Sequence, residues 1–257
     1  MMLDDLDWLG FAADIHPTED YRRGRCDGRQ SERDAVYRHA LAPLIAAGLV
    51  YGCRCSRASQ PVPDPNPLAP AGQLAERRYA GTCREAGIPL GDGVGWRLRL
   101  DPGIEAFDDG LLGPQQQDPS AQCGDLLLRD RLGNWTYQCV AAIDDAVQGV
   151  TLVVRGHDLL SSTGRQIRLA RLVGRKRPAV FIHHPLIMKS ATQKLSKSDG
   201  DSGIRDLRMS GWSAAQVIGR AVSLAGLTPE PDSLSVGDLA GLFGAESWNT
   251  DQGGRRS

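Results

Sequence analysis

No apolar run in the 257-residue chain approaches the roughly 20 residues that a membrane helix needs, so no helical span is expected. Neither charge is in surplus. Thirty Lys and Arg against 31 Asp and Glu leave a net charge of -1, which excludes a chain that is basic throughout for nucleic acid. Basic patches are local, at Arg22, Arg23 and Arg25 and from Arg165 to Arg177, and read equally as RNA contacts or as solvated helix faces. The opening Met1-Met2-Leu3-Asp4-Asp5-Leu6-Asp7 is acidic, unlike a secretory or transit leader, and the cytoplasm is the default compartment. Six cysteines there argue against a disulfide framework and for metal binding or inert burial. The five histidines have no ligand spacing, and His183-His184 reads as structural. The sequence leaves the oligomeric state open, with a monomer as the default.

What is present is an ordinary globular composition, 41% hydrophobic and 24% charged, enough for one large domain or two small ones. Residues 3–10 and 33–49 read as helices. In the second, Ala35, Val36, Ala40, Leu41, Leu44, Ile45 and Ala46 lie at helical spacing, Gly48 marks the end, and Pro43 should kink it. Five prolines between 59 and 72 forbid regular structure and predict an exposed loop. A β-rich stretch follows over 94–135. In it, Trp96 to Leu100 alternates as a half-buried strand does, and Leu126 to Leu128 leads to a turn at Gly133-Asn134.

From Tyr137 the pattern becomes α/β. A helix is expected over 137–146, a buried β-branched strand over 150–154, a helix over 162–173 stopped by Gly174, and a second buried strand over 179–182. Strand, helix and strand before a polar loop is the order of a parallel nucleotide-binding sheet. Residues 204–243 read as helical, and 246–257 as a frayed tail.

Three groups of residues carry chemistry. Lys194-Leu195-Ser196-Lys197-Ser198 offers two ammonium groups on a small-residue loop, suited to a triphosphate, although such turns also occur without a ligand. Cys53-x-Cys55 with Tyr79-x-x-x-Cys83 supplies three sulfurs for one zinc ion, with a phenolate or water at the fourth position; the same cysteines also fit as small buried hydrophobes. Tyr137-Gln138, Asp144-Asp145 and Val154-Arg155-Gly156-His157-Asp158 form the third group. Arg155 falls at the carboxyl end of an expected parallel strand, where a guanidinium suits a carboxylate ligand or an ordinary ion pair with Asp145 or Asp158.

Taken together these segments resemble the catalytic core of the class I glutamyl-tRNA synthetase family, from about Leu3 to Leu242. The likeness is carried by Gln30-Ser31-x-Arg33, Gly48 to Arg57, Tyr79-x-Gly-Thr-Cys-Arg84, Tyr137 through Gln148-Gly149 to Gln166-Ile167, and Lys194 to Ser198. The resemblance implies zinc ligands at Cys53, Cys55, Tyr79 and Cys83, and glutamate binding by Tyr137 and Arg155. It also implies an ATP-contacting loop with catalytic Lys194 and Lys197, Mg2+ accompanying the nucleotide, and tRNA as the acceptor. About sixty residues follow the lysine loop, too few for an anticodon-binding domain of typical size, which favours the short branch of the family that loads glutamate onto queuosine in tRNA(Asp).

The family's other ATP motif, HIGH, is absent, and the residues before Leu3 leave no room for the βαβ unit of about 30 residues that carries it. The expectation is an incomplete Rossmann-type parallel sheet with an inserted zinc-bearing subdomain and C-terminal helices. Its parts are a remnant of the N-terminal Rossmann half over 1–50, the insert over 51–135, the second half with the lysine loop over 136–200 and a helical end over 201–257. A neighbouring strand edge should then lie uncovered. Glutamate activation is the leading expectation, weakened by the missing motif. An inactive remnant that binds zinc or RNA, a subunit completed by a partner, and an unrelated nucleotide-binding α/β protein are the alternatives.

Overall fold

A computed structural model of the protein describes residues 2–14, 17–24, 28–56, 77–188, 203–225 and 233–242. The proline-rich loop, Arg25, the lysine loop with Lys194 and Lys197, and the tail lie outside the described residues. Two units make up the chain, Arg33–His184 and the pair of segments Met1–Glu32 and Pro185–Ser257.

The Arg33–His184 unit begins with helix α3 (Asp34–Ala46), which runs on through Pro43. Gly48, at φ 70°, closes it, with its own N–H donating to Ile45 O and the Leu49 N–H donating to Leu44 O, the paired bonds of a left-handed glycine cap. The chain then enters β1 (Val50–Cys53), which pairs antiparallel with β2 (Gly95–Leu98); β2 in turn pairs with β5 (Leu126–Arg129). Tyr37, Leu41 and Leu44 of α3 pack with Val50, Trp96, Leu98, Leu126 and Leu128 of this sheet and with Val140 and Ile143 of α5 (Tyr137–Val147). Each such large apolar side chain contributes about 1.5–3 kcal/mol when fully buried. The Arg33 guanidinium donates to Asp144 Oδ1 at 2.9 Å and the Tyr37 hydroxyl to Oδ2 at 3.0 Å, tying α3 to α5.

The second sheet has the order β4-β3-β7-β6, built from β3 (Glu105–Asp109), β4 (Gly113–Gln117), β6 (Leu152–Gly156) and β7 (Val180–His184). β6 and β7 are parallel, and α6 (Thr163–Leu172) connects them after a 3-10 turn, His157–Ser162. β7 also runs parallel to β3, whereas β3 and β4 form an antiparallel hairpin, so the sheet is mixed rather than parallel throughout. A short helix, α4 (Pro119–Cys123), interrupts the stretch read as β-rich, started by Asp118 accepting from the Ser120 and Ala121 N–H groups.

Two strands differ from their expected burial. β2 is buried along its whole length because it is the central strand of its sheet, and Arg97 is held inside rather than in solvent. β6 starts two residues later than expected and is not a buried strand: it is the outer strand among the described residues, with Leu152 44% and Val154 60% exposed. An outer strand with solvent-facing apolar residues is what an uncovered sheet edge presents.

In the other unit, α1 (Met2–Leu9) buries Leu9 against Val217, Ile218 and Val222 of α8 (Ala214–Leu224), joined by residues of α7 (Ile204–Met209) and α9 (Val236–Leu242). Arg22 of α2 (Thr18–Arg22) reaches Asp4 and Asp7 of α1. Among the described residues no helix is long and apolar enough to cross a membrane.

Candidate functional site

Two constellations form in the Arg33–His184 unit, and the sequence pointed to both. The first gathers the thiols. Cys53 ends β1, Cys55 follows it, and Cys83 arrives from the far side of the proline-rich span; their sulfurs lie within 4.8 Å of one another, with Cys55 and Cys83 at 3.5 Å. Zinc–sulfur bonds of about 2.3 Å in a tetrahedron set sulfurs about 3.8 Å apart, so these three fit one ion. The Tyr79 hydroxyl donates to Cys53 Sγ at 3.5 Å and accepts the Cys83 N–H at 2.8 Å, which puts the fourth expected donor at the cluster.

Tyr79 is held there by the backbone. Its N–H donates to Cys123 O at 2.9 Å, and Gly124, at φ 66°, lets the chain pass so close that an added Cβ would sit 2.1 Å from Tyr79 O. Burial works against ionising Cys83, yet hydrogen bonds from the Arg54 N–H and from Cys55, Tyr79 and Cys53 bring its thiol down to about 7. Burial pushes Cys55 and Tyr79 up, their thiol neighbours adding to it. Arg97, unsuspected from sequence, donates Nε–H to Cys53 Sγ at 3.3 Å, stacks 3.7 Å over the Tyr79 ring and donates through Nη1 to Asp125 O at 2.7 Å. A guanidinium so close to a sulfur favours its thiolate over its thiol form.

The second constellation surrounds Arg155 at the carboxyl end of β6. Its guanidinium donates to His183 Nε2 at 3.0 Å, Gln166 Oε1 at 2.6 Å and Thr163 Oγ1 at 2.8 Å. Gln166 passes the network on to Gln138 at 2.7 Å, and Gln138 to Ser162 at 2.8 Å. Burial lowers the Arg155 pKa, while the Tyr137 hydroxyl beside it and the more remote Asp145 and Asp109 favour its charge. Tyr137, half-exposed at the start of α5, thus lies beside Arg155. The alternative expectation, an ion pair of Arg155 with Asp145 or Asp158, is not found among the described residues; its acceptors are all neutral.

His183, Asp109 and Thr163 were not assigned to this site from sequence, whereas Gln138 stood in the same group as Arg155. Gln166 lay in a segment quoted for the resemblance, and His183 was read as structural. The basic stretch of α6 is largely committed to the fold: Arg165 is buried, and Arg168 and Arg171 both bond to buried Glu105 of β3.

A parallel βαβ unit with a cation at its carboxyl edge is the arrangement by which open α/β sheets bind ligands. The family of class I tRNA synthetases (E and Q), catalytic domain, matches residues 1–236, and the chain belongs to that family. Among its relatives is the Glutamyl-Q tRNA(Asp) synthetase of Bordetella bronchiseptica, 48% identical over 208 residues, covering 78% of this chain and 63% of that protein. The enzyme of the same name from Nitratidesulfovibrio vulgaris is 37% identical over 251 residues, covering 93% of this chain and 74% of the relative. The fold also matches the crystal structure of a glutamate tRNA ligase from Elizabethkingia meningosepticum in complex with its amino acid, with a TM-score of 0.66 at 20% identity, over 93% of this chain and 53% of that one. The chain thus spans less than two thirds of the length of the Bordetella relative.

Proposed function

We propose that the protein activates glutamate with ATP and transfers it to queuosine in tRNA(Asp). The observation that carries this reading is Arg155, buried at the carboxyl end of β6 beside Tyr137, with no carboxylate bonded to it among the described residues. A guanidinium in that state is matched to a carboxylate ligand. The names and identities of the relatives support the substrates.

The chemistry assigns the two carboxylates of glutamate different roles. The α-carboxylate must be free to attack the α-phosphorus of ATP, forming a P–O bond as the bond to pyrophosphate breaks. Arg155 and Tyr137 therefore take the side-chain carboxylate, which also sets glutamate apart from glutamine. In the glutamyl-adenylate, an RNA hydroxyl then attacks the carbonyl carbon, its proton is lost and AMP leaves. Lys194 and Lys197 are assigned to the phosphate charge that develops in the first step, with Mg2+ on the nucleotide. Cys53, Cys55, Tyr79 and Cys83 would hold zinc, which would supply a structural clamp on the insert over 51–135.

Glutamate-dependent ATP–pyrophosphate exchange tests the reading, with zinc measured on the same sample. Exchange lost in Arg155→Gln supports it. The outer position of β6 among the described residues favours a second reading, a chain that holds zinc or RNA without activating glutamate. Folded, zinc-loaded protein with no exchange above background decides for that one.

A further inference from the structure

The Arg155 guanidinium is held from behind by an imidazole, and the imidazole by a carboxylate. Arg155 Nε–H only donates, so His183 Nε2, 3.0 Å away, carries the lone pair. The ring proton therefore sits on Nδ1 and is donated to Asp109 Oδ2 at 2.5 Å. Asp109 is fixed in turn by the hairpin it ends: its Oδ1 accepts the N–H groups of Leu111 and Leu112, each at 3.0 Å. The side chains of both His183 and Asp109 are fully buried, and Phe181 stacks on the imidazole at 14°.

Three strands thus supply a chain of Asp109 on β3, His183 on β7 and Arg155 on β6. Asp109 offsets the buried cation without bonding to it, and Arg155 gives three of its five N–H groups to the neutral acceptors His183, Gln166 and Thr163, with the Tyr137 hydroxyl beside the rest. We infer that Asp109 and His183 are positioning residues that fix the plane of Arg155 and leave its remaining N–H groups for the substrate carboxylate. The inference rests on the reading of Arg155 as the glutamate-binding residue. A carboxylate at position 183 would instead satisfy the guanidinium and compete with substrate. Burial lowers the His183 pKa against the opposing bond to Asp109, in keeping with a neutral ring.

Asp109→Asn separates positioning from simple packing. Its amide oxygen stays on the Leu111 and Leu112 N–H groups, so its NH2 faces His183 Nδ1 and forces the proton to Nε2, against the Arg155 donor. Glutamate binding is titrated calorimetrically for wild type, Arg155→Gln and Asp109→Asn, with ATP binding and thermal unfolding as controls. Nitrogen-15 spectra of the histidines report the tautomer. The expected result is wild-type saturation, loss of binding in Arg155→Gln, and about tenfold weaker binding in folded Asp109→Asn with an inverted His183 tautomer and unchanged ATP binding. Unchanged glutamate affinity in Asp109→Asn overturns the inference and leaves the Arg155 reading standing. A wild type that does not bind glutamate, or an Arg155→Gln that binds as well, overturns that reading and the inference with it. Should Asp109→Asn not fold, the wild-type spectrum still decides, because an Nε2-protonated or doubly protonated His183 at neutral pH is incompatible with the chain of bonds described.

Discussion

His183 meets Arg155 on one ring nitrogen and Asp109 on the other, so its proton count matters to both neighbours. Burial lowers its folded pKa below 6.5; the bond to Asp109 opposes this, and the charges of Arg155 and His157 add to the lowering. The unfolded chain therefore takes up this proton at higher pH than the folded one. The stability it contributes is complete above about 6.5 and erodes as pH falls toward the folded value. Asp109 acts in the same sense at lower pH: burial would raise its pKa, but bonds from His183, Leu112 and Leu111 keep it below 3.8, so its contribution is lost only as pH falls through that lower value. Urea unfolding from about pH 7 to about pH 5 should show a falling midpoint whose slope is shallower in His183→Gln. Equal slopes would mean that His183 is not held neutral in the fold. Arg155 was singled out by its place at the end of an expected strand, and Tyr137 by the family resemblance of its segment. Their supporting residues were not: Asp109 and His183 are 74 positions apart, and neither stands in a pattern that points to the other.

Alternation of apolar and polar residues gives the side that each residue of a strand faces, but not whether a second layer covers that side. Trp96-Arg97-Leu98 therefore read as half-buried, although Arg97 is enclosed by the thiol cluster and Tyr79. The β-branched run before Arg155 erred in the opposite direction, because position at a sheet edge is set by which strands pair, and composition does not encode it. β6 leaves Leu152 and Val154 in solvent, and an apolar outer strand invites pairing with other chains. Val154→Lys should lower light scattering of concentrated protein while changing unfolding free energy by no more than about 0.5 kcal/mol, as for other exposed positions. A loss of several kcal/mol would show that Val154 is covered in solution. The helices were read more faithfully, since Gly48 and Gly174 end α3 and α6 with left-handed turns that glycine accommodates best.

Both constellations belong to one contiguous unit, Arg33–His184, and long-range connections hold it together. A metal shared by Cys53, Cys55 and Cys83 would close the long span between residues 55 and 79, restricting the unfolded chain more than any bond within a single element does. The cluster was legible because Cys53-x-Cys55 and Tyr79-x-x-x-Cys83 are local patterns, whereas the hold on Tyr79 by Cys123 and Gly124, some 45 positions later, was not. Purified protein should carry about one zinc per chain, and a chelator that removes it should lower the melting temperature. Cys83→Ser should lose zinc and lower the melting temperature in the same way. Cys139→Ser is the informative control: Cys139 is fully buried in the main core, where burial pushes its thiol up to about 12, far from the cluster's chemistry. It should destabilise the fold and keep its zinc. If both variants keep the metal, or if chelation leaves the melting temperature unchanged, the three sulfurs are close-packed hydrophobes. The stability of the unit would then rest on its core alone.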